Sequence, residues 1–181
     1  MRYVIVAATC RGRGIGNRGS IPWRVPEDLR MFSAMTKGRG NNAVVMGRTT
    51  WESLPKRPLP GRANIVLTRQ SEYKGGDGAI VLGSIDAVRE HCEKRQYDTV
   101  WVAGGADVYE AFLLSGLVNR CAITFIDADH KCDTLFPQLG PGWALRMARP
   151  INTQSGVYTE LRHLVRVKPV PNTSGQSKDC Q

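Results

Sequence analysis

The stretch VWVAGGADVYEAF, Val100 to Phe112, joins a β-rich apolar run to a helical pattern through two adjacent glycines. Thr99 to Ala103 reads as a buried strand, Gly104 and Gly105 as a tight turn, and Ala106 to Ser115 as a helix. A strand that passes so abruptly into a helix is the repeating unit of a parallel sheet. The free N–H groups at such a helix start can bind a phosphate, although an ordinary βα turn has the same letters.

Working outward, the same grammar recurs. VVMGRTTWESL, Val44 to Leu54, is again strand, glycine and helix start, with Arg48 and two threonines at the turn. NIVLTRQ places Arg69 just past another strand. Further strand-like runs are Tyr3 to Ala8, Ala79 to Leu82, Arg120 to Ile126 and Val157 to Val167, and further helical patterns are Pro26 to Thr36 and Ser84 to Arg95. The alternation gives an α/β class: a central, mostly parallel sheet flanked by helices, with an antiparallel edge where the last strands lack helices between them. Ligands then belong at the strand C-termini. Arginines and hydroxyls gathered there suit a phosphorylated cofactor, and arginine beside an adenosine ribose suits a 2′-phosphate, which makes NADPH the candidate.

The chain of 181 residues, 41% hydrophobic, is the size of one domain with a substantial core. That domain is expected over residues 1–167, with 168–181, rich in Pro, Ser and polar residues, as a flexible tail. A net charge of +9 favours anionic partners. The basic residues are dispersed and no aromatic-rich RNA-binding motif is present, so a specific nucleic-acid partner is not expected. No run reaches the length of a membrane span, and the N-terminus reads as a strand, not a signal peptide. Five scattered cysteines without a C-x-x-C pair read as free thiols of a reducing compartment, the cytoplasm. His91, His130 and His163 have no ligand spacing, so no metal is assigned and each is expected to be exposed.

IPWRVPEDLRMF, Ile21 to Phe32, carries two adjacent acids. Pro26 suits the first helical position, which puts Glu27 and Asp28 in the first turn, where both complement the helix dipole. Helical spacing separates them: from Asp28 it reaches Met31, Phe32 and Met35, and from Glu27 it reaches Arg30 and Met31. Asp28 therefore shares the more apolar face, where a carboxylate needs a partner or a proton. A flat heterocycle with an amidine-like pair of N–H donors would meet it bidentately. RGRGIGNRGS, Arg11 to Ser20, lacks the G-x-G-x-x-G spacing and reads as a mobile loop whose three arginines strengthen attraction of anionic ligands at the site mouth.

GIGNRGSIPW, PEDLRMF, VVMGRTTWESLPKRPLPGR, NIVLTR, VWVAGGADVYEAF and ITFIDADHKCDTLFP, in this order and spacing, resemble the dihydrofolate reductase family from Tyr3 to about Val167. The resemblance implies a single-domain dihydrofolate-reductase-like fold and NADPH-dependent hydride transfer to C6 of 7,8-dihydrofolate, with N5 protonated. The product, tetrahydrofolate, would serve one-carbon metabolism and thymidylate and purine synthesis; antifolate inhibitors would bind the same site, and the chain would be a monomer. Asp28 matches the family's pterin-binding acid, supported by Trp23 and Thr124, with a water delivering the proton. Val6, Leu29, Phe32, Leu54 and Leu59 match apolar walls around the substrate, and Arg62 matches the clamp on its glutamate α-carboxylate. Backbone at Val6 and Ala103 would face the pterin edge, with Ala8 and Ile15 at the nicotinamide and Tyr109 near both ligands. Gly47, Arg48, Thr49 and Thr50 match one cofactor loop. Leu67, Thr68 and Arg69 match the adenosine side, and Gly104, Gly105, Ala106 and Val108 the pyrophosphate turn, where the two glycines share a cis peptide bond. Trp51 and Phe136 read as core. Cys132 stands where the family commonly has glycine, so the turn before Asp133 is either altered or built with negative φ. Reductases of riboflavin synthesis share this grammar; the W-x-x-P-x-D-L-x-x-F pattern and Arg62 favour folate.

Overall fold

The structure, a computed structural model, describes residues 1–167; the tail expected at 168–181 lies outside the described residues. In chain order the strands are β1 (Arg2–Thr9), β2 (Gly14–Gly16), β3 (Asn42–Gly47), β4 (Ala63–Leu67), β5 (Ala79–Leu82), β6 (Thr99–Val102), β7 (Val118–Ile126), β8 (Thr134–Leu135), β9 (Trp143–Ile151) and β10 (Thr159–Arg166). The helices are α1 (Pro26–Lys37), α2 (Arg48–Ser53), α3 (Ile85–Arg95) and α4 (Ala106–Leu114).

Eight strands form one sheet in the order β5-β4-β3-β6-β1-β7-β10-β9. From β5 to β7 every pairing is parallel, while β10 runs antiparallel to both β7 and β9. The mostly parallel sheet with an antiparallel C-terminal edge is therefore as expected. Its central strands are covered on both faces, which explains their unbroken apolar runs. Ile5, Val44, Val45, Ile65, Val100 and Val102 are fully buried, as are Trp51 and Phe112; each such side chain contributes about 1.5–3 kcal/mol by leaving water.

The helix ends follow local chemistry. α1 starts on Pro26, whose fixed φ suits the first turn, and stops at Gly38, which takes φ +53. The Ser84 hydroxyl caps α3 by accepting from the Ala87 N–H at 3.1 Å.

Three expectations change. β9, WALRMARPI, was not visible as a strand: it is mostly exposed, contains two arginines and ends near Pro150, which the sheet edge tolerates. The RGRGIGNRGS segment is not simply a loop, because β2 pairs with β8 and Asn17 bridges Ser20. Finally, none of the three histidines is exposed; each is half-buried, with His91 against Tyr97 and His130 against Trp23.

Candidate active site

Strand register sets the site. Ala8 of β1 lies opposite Thr124 of β7, so Thr124 enters the groove beside the C-terminal end of β1. β3 and β6 end side by side, and the Gly47 N–H donates to the Gly104 carbonyl at 2.7 Å. The parallel strands thus deliver the Gly47–Arg48, Thr68–Arg69 and Ala103–Gly105 turns to one edge.

The two acids of α1 have different fates. Glu27 is bound by Arg30 at 3.2 Å within the helix. Asp28 has no ion pair among the described residues, and burial pushes its carboxyl above the usual range, offset in part by the Thr124 hydroxyl beside it. A half-buried, largely desolvated carboxylate with one neutral partner has unmet acceptor capacity. Trp23 leads into the helix and packs on His130, their rings 5.5 Å apart. The exposed Leu29 follows the acid directly.

Asp28, Phe32 and Thr36 recur every four residues and share one face of α1. At the far end of this row Arg62 donates to the Thr36 hydroxyl, to Ser33 Oγ at 3.3 Å and to the Pro60 carbonyl at 3.1 Å, with its guanidinium 5.9 Å from the Phe32 ring centre. No carboxylate pairs with it among the described residues, and partial burial lowers its pKa. Asn64, 3% exposed, braces the preceding loop: its side-chain oxygen accepts from the Leu59 N–H and its amide donates to the Leu59 and Arg62 carbonyls. Ser33, Thr36 and Asn64 were missed by sequence reasoning. The i, i+4, i+8 spacing from Asp28 could have found Thr36; nothing local marks Asn64.

Leu54, Leu59 and Ala103 pack with the buried Val44, Met46, Trp51 and Val66, forming one apolar wall. On the other face Ile15, Leu67, Val108 and Tyr109 join the main core, and the Tyr109 hydroxyl donates to the Val6 carbonyl at 2.9 Å.

Of the glycine turns, that at Gly104 requires glycine and the others are close-packed. Gly104 has φ +97, and a Cβ there would stand 3.0 Å from the Tyr109 ring. A Cβ on Gly47 would stand 3.1 Å from Val108, and one on Gly105 would stand 3.4 Å from Thr50 Oγ1. The Gly104–Gly105 peptide is cis, as the resemblance implied. Gly105 caps α4 without a side-chain hydrogen bond, which leaves the first-turn N–H groups at Ala106 and Val108 uncapped by any side chain. Thr49 and Thr50 follow Arg48 in α2; Arg48 is tied to Glu52 at 2.7 Å, whereas Arg69, beyond Thr68, is exposed.

The arginines of the first loop differ in their partners. Arg11 binds Asp127 at 2.7 Å and Asp129 at 2.9 Å, and Arg13 donates to the Phe136 carbonyl at 2.7 Å. Arg11 is thus paired by carboxylates, whereas Arg13 helps hold the loop and keeps its charge. The turn before Asp133 is built with a non-glycine φ at Cys132, and the Asp133 carboxylate accepts from the Arg18 N–H at 2.7 Å.

The chain matches the family model described as dihydrofolate reductase over residues 2–164. It is 37% identical to dihydrofolate reductase of Drosophila melanogaster over 147 residues, which covers 77% of this chain and 81% of the relative. It is 43% identical to the Mycobacterium leprae enzyme over 134 residues, covering 71% and 76% of the two chains. Among solved structures, a dihydrofolate reductase from Enterococcus faecalis complexed with NADP(H) and RAB-propyl superposes with a TM-score of 0.82 at 26% identity, covering 91% of this chain and 96% of that one. A largely desolvated acid on α1 and an arginine beside the same face, neither with an ion pair among the described residues, and a glycine-lined turn beneath a helix start without a side-chain cap lie within the matched region, and the chain belongs to the dihydrofolate reductase family.

Proposed function

We propose that the groove between α1 and the ends of β1, β6 and β7 reduces 7,8-dihydrofolate to 5,6,7,8-tetrahydrofolate with NADPH. The observation that carries this reading is the pair of complementary charges along one helix face: among the described residues, Asp28 is without a cation and Arg62 without an anion. A pterin offers its 2-amino group and N3–H to Asp28, and the glutamate tail offers its α-carboxylate to Arg62. Between them Phe32, Leu54 and Leu59, with the exposed Leu29 at the mouth, line the ring and benzoyl region. Asp28, held by the Thr124 hydroxyl and approached by Trp23, orients the pterin and raises the proton affinity at N5. Val6 and Ala103 present backbone to the pterin edge, and the Tyr109 hydroxyl fixes the Val6 carbonyl.

The chain also fits the cofactor. NADPH, when bound, supplies a hydride from nicotinamide C4. Gly104, Gly105, Ala106 and Val108 form the cradle for its pyrophosphate, at the start of α4 that no side chain caps. Gly47, Thr49 and Thr50 provide the adjoining turn. Arg69, beside Leu67 and Thr68, is the stronger candidate for the 2′-phosphate, because Arg48 already holds Glu52. Ala8 and Ile15 flank the nicotinamide end. Four cysteines that are free among the described residues are compatible with a cytoplasmic setting. The product supplies one-carbon carriers for thymidylate and purine synthesis, and the same groove would take antifolates.

Loss of nicotinamide absorbance on mixing the protein with NADPH and dihydrofolate tests the reading. Loss is expected only with dihydrofolate present, and much more slowly with NADH. A folded protein that leaves NADPH unoxidised would overturn it.

A further inference from the structure

Cys10 and Cys132 are 122 positions apart in the chain, yet their sulfurs lie 3.7 Å from each other. Cys10 directly follows β1 and is 1% exposed; Cys132 precedes β8 and is half-buried. The backbone holds them there. The Cys10 N–H donates to the Gly14 carbonyl at 2.9 Å, Asp133 N–H to Gly16 at 3.1 Å, and Phe136 N–H to Arg13 at 2.8 Å. Gly14 makes the room, since a Cβ on it would stand 2.5 Å from the Cys132 sulfur and 2.7 Å from the Cys10 sulfur. The remaining described cysteines, Cys92 and Cys121, are fully buried elsewhere in the core.

We propose that Cys10 and Cys132 are a reversible redox pair, which low-molecular-weight disulfides convert into a covalent clamp between the end of β1 and the β8 segment. Disulfide bonding needs the sulfurs to close by somewhat under about 2 Å, from contact to about 2.05 Å. The more exposed Cys132 thiolate attacks the oxidant RSSR, forming a mixed disulfide and releasing RS⁻. The Cys10 thiolate then attacks the Cys132 sulfur and displaces the second thiolate. The protein loses two protons and two electrons, and RSSR is reduced to two RSH. Uncatalysed disulfide exchange takes minutes to hours, which sets the time allowed for the reaction.

The clamp would close two residues beyond Ala8 and fix the partner of the strand that carries Ile15. Ligand exchange that requires these strands to part is then slowed. The cross-link stands on geometry alone; its effect on turnover rests on the reductase reading.

The test uses the full chain carrying Cys180→Ser, treated with oxidised glutathione. Intact mass should fall by two hydrogen atoms, peptide mapping should recover one Cys10–Cys132 cross-link, the melting temperature should rise by several degrees, and turnover should fall severalfold. Dithiothreitol should reverse all four. Cys132→Ser should abolish them while leaving reduced-state turnover near wild type. A persistent glutathione adduct, a cross-link elsewhere, or no mass change would overturn the pair. A correct cross-link with unchanged turnover would overturn the control of activity. Absence of turnover in the reduced protein would count against the reductase reading, and the cross-link would still be judged by mass.

Discussion

The groove and the outer loop edge handle charge in opposite ways. At the edge, Arg11 is met by Asp127 and Asp129 and holds Asp127 below the usual carboxylate range. In the groove, Asp28 and Arg62 are both partly desolvated, and neither meets an opposite charge among the described residues. Paired, exposed charges stabilise a fold slightly; unpaired, desolvated ones cost stability and are tolerated where a ligand completes them. On the proposed reading, the difference separates structural from functional charge inside one basic protein.

Asp28→Asn tests this most severely. Turnover at neutral pH should fall roughly a hundredfold to ten-thousandfold, the range for a lost general acid–base group, and recover in part at low pH, where the substrate is already protonated. Wild-type rates at pH 7 (roughly a neutral value on this scale) would remove Asp28 from the chemistry.

Arg62→Lys comes next. A single ammonium replaces the fork, so the KM for dihydrofolate should rise about tenfold to a hundredfold, with kcat changed much less. An unchanged KM with full-length substrate would break the assignment of Arg62 to the glutamate tail.

The same Asp28→Asn variant, without ligands, should gain stability. Because folded Asp28 titrates above the ordinary carboxylate range, its stability contribution is full below that ordinary value and is lost as pH rises through the folded value. Asparagine escapes that loss. The variant should melt higher than wild type at neutral pH, and the two curves should converge in acid; calorimetry across pH decides it. An equal melting temperature at neutral pH would mean that Asp28 is as well satisfied as Arg11's partners.

The smallest effect is expected at Arg11→Ala. Its carboxylate partners are solvent-exposed, so the melting temperature should fall by about a degree or two and kcat/KM should keep its salt dependence. A large drop in activity would return the loop arginines to ligand capture.

Asp28 could be read from the sequence because helical spacing alone separates it from Glu27. The parallel core was legible for a similar reason: strands covered on both faces are continuous apolar runs. β9 was not legible, since an exposed edge strand has no apolar signature. Nor were the partners of Arg62. Thr36 shares a helix with Asp28, but its bond to Arg62 spans 26 positions, and Asn64 is only a polar residue entering β4 until the fold turns its amide on the loop. The carboxylate partners of Arg11 were not legible either, because composition shows charge but not pairing.

The spacing of Asp28, Phe32 and Thr36 makes α1 a ruler. Eight helical residues measure about 12 Å, and each residue turns the helix by about 100°. Substitutions between the marks would alter affinity by degrees. One inserted or deleted residue would swing one end of the row off the groove, so, on the proposed reading of Asp28 and Arg62, the gauge of acceptable substrates resides in the length of this segment more than in its composition.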